Sequence, residues 1–167
     1  EYNQYLAAFP FLTIDEVSQI HDALKLYDGQ CAVLVLGAVA VDSGVLSSIS
    51  VTHLAVASQC VAFLAELTML LQRKLRTVCP SDKLAPFIEK ELNRVQKDFV
   101  DHRNEFFVKI VSMVKERVDS AAFQFDSSDW KTKGHEWMIA LLKEVARLVK
   151  QLRPILRPQD LNAVMMP

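Results

Sequence analysis

The chain has 167 residues, 51% of them apolar and 23% charged, with four glycines and a net charge of -1. A chain of this length can bury about two thirds of its unfolded surface, so one domain with a real core is expected, and the mixture excludes a disordered tail. The near-neutral balance excludes a dedicated nucleic-acid binder, which carries a strongly basic charge interleaved with aromatics.

Scarce glycine and abundant Leu, Ala, Val, Lys and Glu favour helices over strand-and-turn architectures. The first helix is predicted to open at Thr13, which has capping-box spacing to Glu16, and to run to about Tyr27, with Gly29 breaking it. Ile14, Val17, Ile20, Leu24 and Tyr27 are its predicted apolar face. A second helix, Gln30 to Val41, is apolar nearly all round, the mark of a helix enclosed by others; its valines leave a strand as the alternative. Gly44 and Ser47, Ser48 and Ser50 punctuate the chain, and Ser50 or Thr52 can cap a third helix to about Val78. Gln59, Glu66 and Arg73 recur every seven residues along it as a narrow wet stripe, so most of this helix is expected to be buried.

Pro80, Ser81 and Asp82 stop the third helix, and Pro86 belongs in the first turn of the next. There Leu84, Ile88, Leu92, Val95, Phe99, His102, Phe106, Ile110 and Met113 step by three and four residues along one face, predicting a long amphipathic helix ending near Asp119 or Phe125. A polar connection is placed at 120–135, centred on the aperiodic run 126–134. The fifth helix carries Met138, Leu141, Val145, Leu148 and Leu152 as a seam until Pro154 ends it. A short last helix is predicted over 158–165, with Pro158 first and Asp160 favourably near its N-terminus. The expected fold is all-α, an elongated antiparallel bundle of five to six helices forming a single domain over 1–167.

Cys31, Cys60 and Cys79 are odd in number and widely spaced, which fits a reducing compartment better than a disulfide framework. No secretory signal opens the chain, and the longest uncharged apolar run, Cys31 to Val41, falls short of the roughly twenty residues a bilayer requires. The chain starts without Met and reads as a piece of a longer protein.

The residues offer little chemistry. His21, His53, His102 and His135 form no metal motif; His53 and Cys60, seven apart, can share a helix face, but two ligands do not make a zinc site. No nucleophile elbow or phosphate loop is present, so no catalytic residue, metal or cofactor is expected. His102 stands in the apolar seam of the fourth helix within helical reach of Asp98 and Glu105. It is either a satisfied seam histidine, the ordinary case, or a sensor of mild acidification. Charge is also segregated: residues 1–66 carry seven acids against the single base Lys25, whereas 131–157 carry seven bases against Glu136 and Glu144. Within the latter, Lys143, Arg147, Lys150, Arg153 and Arg157 follow one another at steps of four and three. They are either a solvated face or a surface for anionic lipid or an acidic partner.

Two stretches are more specific. Leu24-Lys25, Tyr27 to Gln30, Leu34 to Ala38, Leu46, Ile49 and His53 to Cys60 closely resemble the C-terminal region of the vacuolar-protein-sorting subunit fifty-four family. Lys97-Asp98-Phe99, Asp101-His102, Glu105, Lys109-Ile110-Val111 and Met113 resemble the family's next long helix in matching order. The resemblance covers residues 14–118 well and 136–161 weakly, and 120–135 departs from it. It implies helix for Cys31 to Val41 and no catalytic residues. It further implies a parent that is a subunit of the Golgi-associated retrograde protein (GARP) complex, a vesicle tether in retrograde transport from endosomes to the trans-Golgi network. The implied partners are other tethering-complex subunits and, through the parent complex, SNARE proteins and the endosomal or vesicle membrane. The implied location is cytoplasmic, peripheral on trans-Golgi network and endosomal membranes. The alternatives are a helical-rod module of an exocyst-like or oligomeric Golgi tether, or a small all-α hydrolase using His102.

Overall fold

The structure is a computed structural model that describes residues 10–37, 48–78, 84–123 and 130–166. These form five helices: α1, Pro10–Val35; α2, Val51–Val78; α3, Ala85–Phe123; α4, Trp130–Leu152; and α5, Pro158–Met165. No strand occurs among the described residues. The architecture is the expected all-α bundle. At 1.5 Å per residue, α3 is about 58 Å long and sets the length of the rod.

Helix α3 is built as its spacing predicts. Ile88, Leu92, Val95, Phe99, Phe106 and Ile110 are all essentially inaccessible, and Leu84 is buried with them. Full burial of such side chains contributes about 1.5–3 kcal/mol each. Its main partner is α2, which contributes Val51, Leu54, Ala55, Val61 and Ala65 to the same core. Gln72 donates to Asn93 and Arg76 pairs with Glu89, so position rises in α2 as it falls in α3: the two helices are antiparallel. Helix α1 contacts α3 through His21 with Glu91 and Asp28 with His102, an ascending order that makes these two parallel. Two cores result. A small one joins Val17, Leu75, Leu84, Ile88 and Leu92, and a larger one runs from Val51 through Phe99 and Phe106 to Leu148, Leu152, Leu156 and Val164.

Local chemistry marks the starts of α2 and α5, whereas α1 opens at Pro10, so the expected start at Thr13 falls inside the helix and Thr13 does not cap it. Ser50 and His53 cap α2 reciprocally: the His53 amide donates to Ser50 Oγ at 3.3 Å and the Ser50 amide donates to His53 Nδ1 at 3.2 Å. That is a capping box with histidine in the position Glu or Gln usually takes. Pro158 opens α5 at its first position, as predicted. Ser58 and Thr68, buried in α2, donate to the carbonyls of Ala55 and Leu64, so their hydroxyls are satisfied within the helix.

Several expectations need correction. First, Gly29 does not break α1, which continues to Val35. A glycine in a helix costs only about 1 kcal/mol relative to alanine, and Asp28, Cys31 and Val35 on either side of it are held by tertiary contacts. The chain turns instead at Gly37, whose amide reaches back to the Ala32 carbonyl and where a Cβ would lie 2.6 Å from the Val33 carbonyl oxygen. The predicted helix over Gln30 to Val41 is therefore partly the end of α1; residues 38–41 lie outside the described residues, as do Gly44, Ser47, Cys79, Pro80, Ser81 and Asp82.

Second, the buried stripe of α1 differs from the one read from hydrophobicity. Thr13, Val17, His21 and Asp28 are buried, with Leu24, Cys31 and Val35 packed beside them, while Ile14 and Tyr27 are exposed. Of these buried polar residues, Asp28 meets His102 of α3 at 2.7 Å, and His21 lies 3.6 Å from Glu91 of α3 while its Nδ1 is 3.1 Å from Asp22 on its own helix. Third, α2 is only half enclosed: Val56, Phe63, Leu67 and Leu70 face outward. In the same way Val33 and Leu34, expected in an enclosed helix, are exposed. The polar connection expected at 120–135 is shortened at both ends, since α3 reaches Phe123 and α4 begins at Trp130; residues 124–129 lie outside the described residues.

Candidate interaction surfaces

Two polar clusters hold the helices in place, and neither was visible within one helix. In the first, Asp160 on α5 is buried and collects three donors. Arg103 Nη2 on α3 donates to Oδ1 at 2.6 Å, while Gln59 Nε2 on α2 and Arg157 Nε donate to Oδ2, each at 3.1 Å. Arg157 also reaches Glu66 Oε1 on α2 at 2.8 Å, and the Arg103 guanidinium lies 4.9 Å from the Phe107 ring centroid. Burial alone would raise the Asp160 pKa, but the hydrogen bonds from Gln59 and Arg157 and the charges of Arg103 and Arg157 outweigh it and hold the carboxyl below its ordinary range. The cluster pins α5 to both α2 and α3.

In the second, His102 Nδ1 is 2.7 Å from Asp28 Oδ2, joining α3 to α1. The Asp28 side chain is 3% exposed, and its Oδ1 accepts no hydrogen bond. Burial pushes the Asp28 carboxyl up; hydrogen bonding to His102 and its charge oppose this, and Asp98 and Glu105 add to it. The partner of His102 is therefore Asp28, 74 residues away, in place of the two carboxylates on its own helix. With Nδ1 engaged this way, His102 does interhelical work of the kind a satisfied seam residue does.

The five predicted cations separate. Helix α4 ends at Leu152, so Arg153 lies in the following turn and Arg157 is the residue before α5. Arg157 is turned inward to Asp160 and Glu66 and does not belong to an open stripe. Arg147 lies 3.5 Å from Glu144, which also faces Arg117 at 4.0 Å. Lys143, Lys150 and Arg153 remain exposed, with no carboxylate at ion-pair distance among the described residues. A groove of about 720 Å³ beside them is lined by Ala146, Val149, Lys150, Arg153 and Pro154.

The other uncovered surface is apolar. Val56, Cys60, Phe63, Leu67 and Leu70 recur on α2 at alternating steps of four and three, and all but the half-buried Cys60 are exposed. Beside them, Ala23, Leu24 and Tyr27 of α1 complete a groove of about 400 Å³ with Cys60, Phe63 and Leu64. The segment Val51–Thr77 contains a stretch long and apolar enough to cross a membrane, yet its inner side packs on α3 as a bundle helix does. Among the described residues no group of three or more His, Cys, Asp or Glu side chains converges on a metal position. His53, weighed with Cys60 as a ligand pair, serves as the α2 cap.

Comparison with known proteins points in one direction. The profile of the Vps54-like protein family matches residues 1–117. Vacuolar protein sorting-associated protein 54 of Schizosaccharomyces pombe is 30% identical over 91% of this chain and 16% of its own length. The chloroplastic protein of the same name from Arabidopsis thaliana is 28% identical over 98% of the chain and 16% of its own length, and the Homo sapiens protein is 27% identical over 86% and 16%. The chain spans about a sixth of the length of these relatives. No solved structure matches it.

Proposed function

Because the chain belongs to the Vps54-like family, we propose that it is a helical-bundle segment of a vesicle-tethering subunit acting in retrograde transport from endosomes to the trans-Golgi network. It works by binding and carries out no catalysis. The observation that carries this reading is the uncovered apolar face of α1 and α2, where Tyr27, Phe63, Leu67 and Leu70 stand open to solvent. A contiguous face of this kind marks an interaction site on an otherwise well-packed protein. The polar clusters support the same reading, since Asp160 and Asp28 are engaged in joining helices and neither is aimed at a substrate.

The partners are the other subunits of a GARP-type tether, with SNARE proteins and vesicle membrane engaged through the parent complex on the cytoplasmic side of trans-Golgi network and endosomal membranes. Affinity capture of the tagged parent protein from its own cells, followed by mass spectrometry, tests this. Co-purification of three other large helical-rod subunits is the expected result, and their absence would overturn the assignment.

A further inference from the structure

Helix α4 has two sides of different character. Leu148 and Leu152 are fully buried on the inner side. On the outer side Met138 and Ile139 are each 44% exposed and Leu142 is 59% exposed, with Lys143 and Lys150 exposed as well. At about 100° per residue, Met138, Leu142, Ala146 and Ile139 fill one arc of that outer side, and Lys150, Lys143 and Arg147 the arc next to it. The apolar arc leads to the groove floored by Ala146, Val149 and Pro154, which Lys150 and Arg153 edge.

The charges on this face are one-sided. Glu144, the one acid between Met138 and Arg157, sits half-buried between Arg117 and Arg147. It leaves Lys143, Lys150 and Arg153 uncompensated. Protein interfaces are depleted of lysine at their centres. By contrast, unpaired cations bordering an exposed apolar arc are what a helix lying in a membrane interface presents to anionic headgroups. Long basic side chains can lie along apolar surface while their charges reach the phosphates.

We propose that the outer face of α4 and the turn after it dock directly on an anionic phospholipid bilayer, with Met138, Ile139 and Leu142 entering the boundary between headgroups and acyl chains and Lys143, Lys150 and Arg153 meeting the headgroup phosphates. The proposal rests on the tethering reading for its setting and gives this segment its own membrane contact.

Vesicle flotation of the 167-residue chain tests it, using phosphatidylcholine vesicles with and without phosphatidylserine. The chain should bind only when phosphatidylserine is present, and less as salt is raised. Each basic residue near an anionic surface is worth about fivefold in partitioning, so combined K143Q, K150Q and R153Q should weaken binding about a hundredfold. L142S should weaken it too. The control variant K90Q, K97Q and K109Q removes the same charge from exposed positions of α3 and should bind as the parent does. No binding to phosphatidylserine vesicles, parent-like binding by the α4 variant, or an equal loss in the control overturns the proposal; the first result would leave an acidic protein segment as the occupant. Circular dichroism of each variant confirms that these surface changes leave the fold intact. Partner capture is read independently of flotation, so either reading can fail while the other stands.

Discussion

Replacing Asp160 by asparagine keeps the shape of the side chain and removes the charge on which three donors converge. The hydrogen bond from Arg103, at 2.6 Å to a side chain 7% exposed, is of the charged kind that contributes about 1.5–3 kcal/mol. The Arg157 bond involves a side chain 39% exposed and adds at most about 1 kcal/mol. Allowing for the acceptor that asparagine retains, D160N should cost about 3 kcal/mol, or about 6–12 °C in Tm for a chain of this length. Urea unfolding followed by far-UV circular dichroism measures this, and a cycle with R103M isolates the pair. Because the Asp160 pKa is lowered on folding, its contribution is complete above the unfolded value of about 3.9 and is lost as pH falls through the lower folded value. The gap between parent and variant should therefore narrow below about pH 4. A parent-like midpoint at neutral pH, or R103M and D160N effects that add within about 0.5 kcal/mol, would refute the idea that this cluster holds α5 in place.

Gly29 lies in a helix with nothing within 4 Å of where a Cβ would be, so G29A should stabilise the chain by about 0.5–1 kcal/mol, read from the urea midpoint; destabilisation would contradict its placement. Asp28 titrates with the opposite sign to Asp160. Its raised folded pKa contributes stability below the unfolded value of about 3.9 that is lost as pH rises through the folded value. D28N removes that titration and should therefore gain on the parent as pH rises from about 4 to 7, and a difference that stays constant with pH would count against the buried pair. S50A should cost about 1 kcal/mol by removing half of the α2 capping box, and an unchanged Tm would show that the His53 side carries the cap alone.

How much could be read in advance depended on where the partner of each residue lies. The stripe of α3 was legible because every member has its neighbour one turn away, and burial from Ile88 to Ile110 follows the spacing. Pro154 and Pro158 likewise mark the turn between α4 and α5 by local chemistry. What failed was anything decided across helices. Asp28 and His102 are 74 residues apart, and Asp160 and Gln59 are 101 apart; a helical wheel places each on a face without saying who stands opposite. Hydrophobicity made α2 look enclosed because composition records how apolar a face is and not whether anything covers it. The basic series runs past the helix end at Leu152, and the turn there takes Arg157 out of the stripe that its spacing suggests. The Asp160 cluster did leave one trace, an acid at the third position of a proline-led helix, but that position also suits an ordinary dipole partner.

The 101-residue separation between Gln59 and Asp160 also sets an order of events during synthesis. Helices α2 and α3 can close against each other as soon as α3 has emerged, through a short connection and mostly apolar contacts. Gln59 and Arg103 must then wait in an unfinished protein, still hydrated, until residue 160 arrives. Loop closure on that scale comes late in folding. Docking of α5 is in effect a final fastening: it comes after the long helices are in place, and a chain stalled before Pro158 would keep the α2 and α3 sides of the latch open to water.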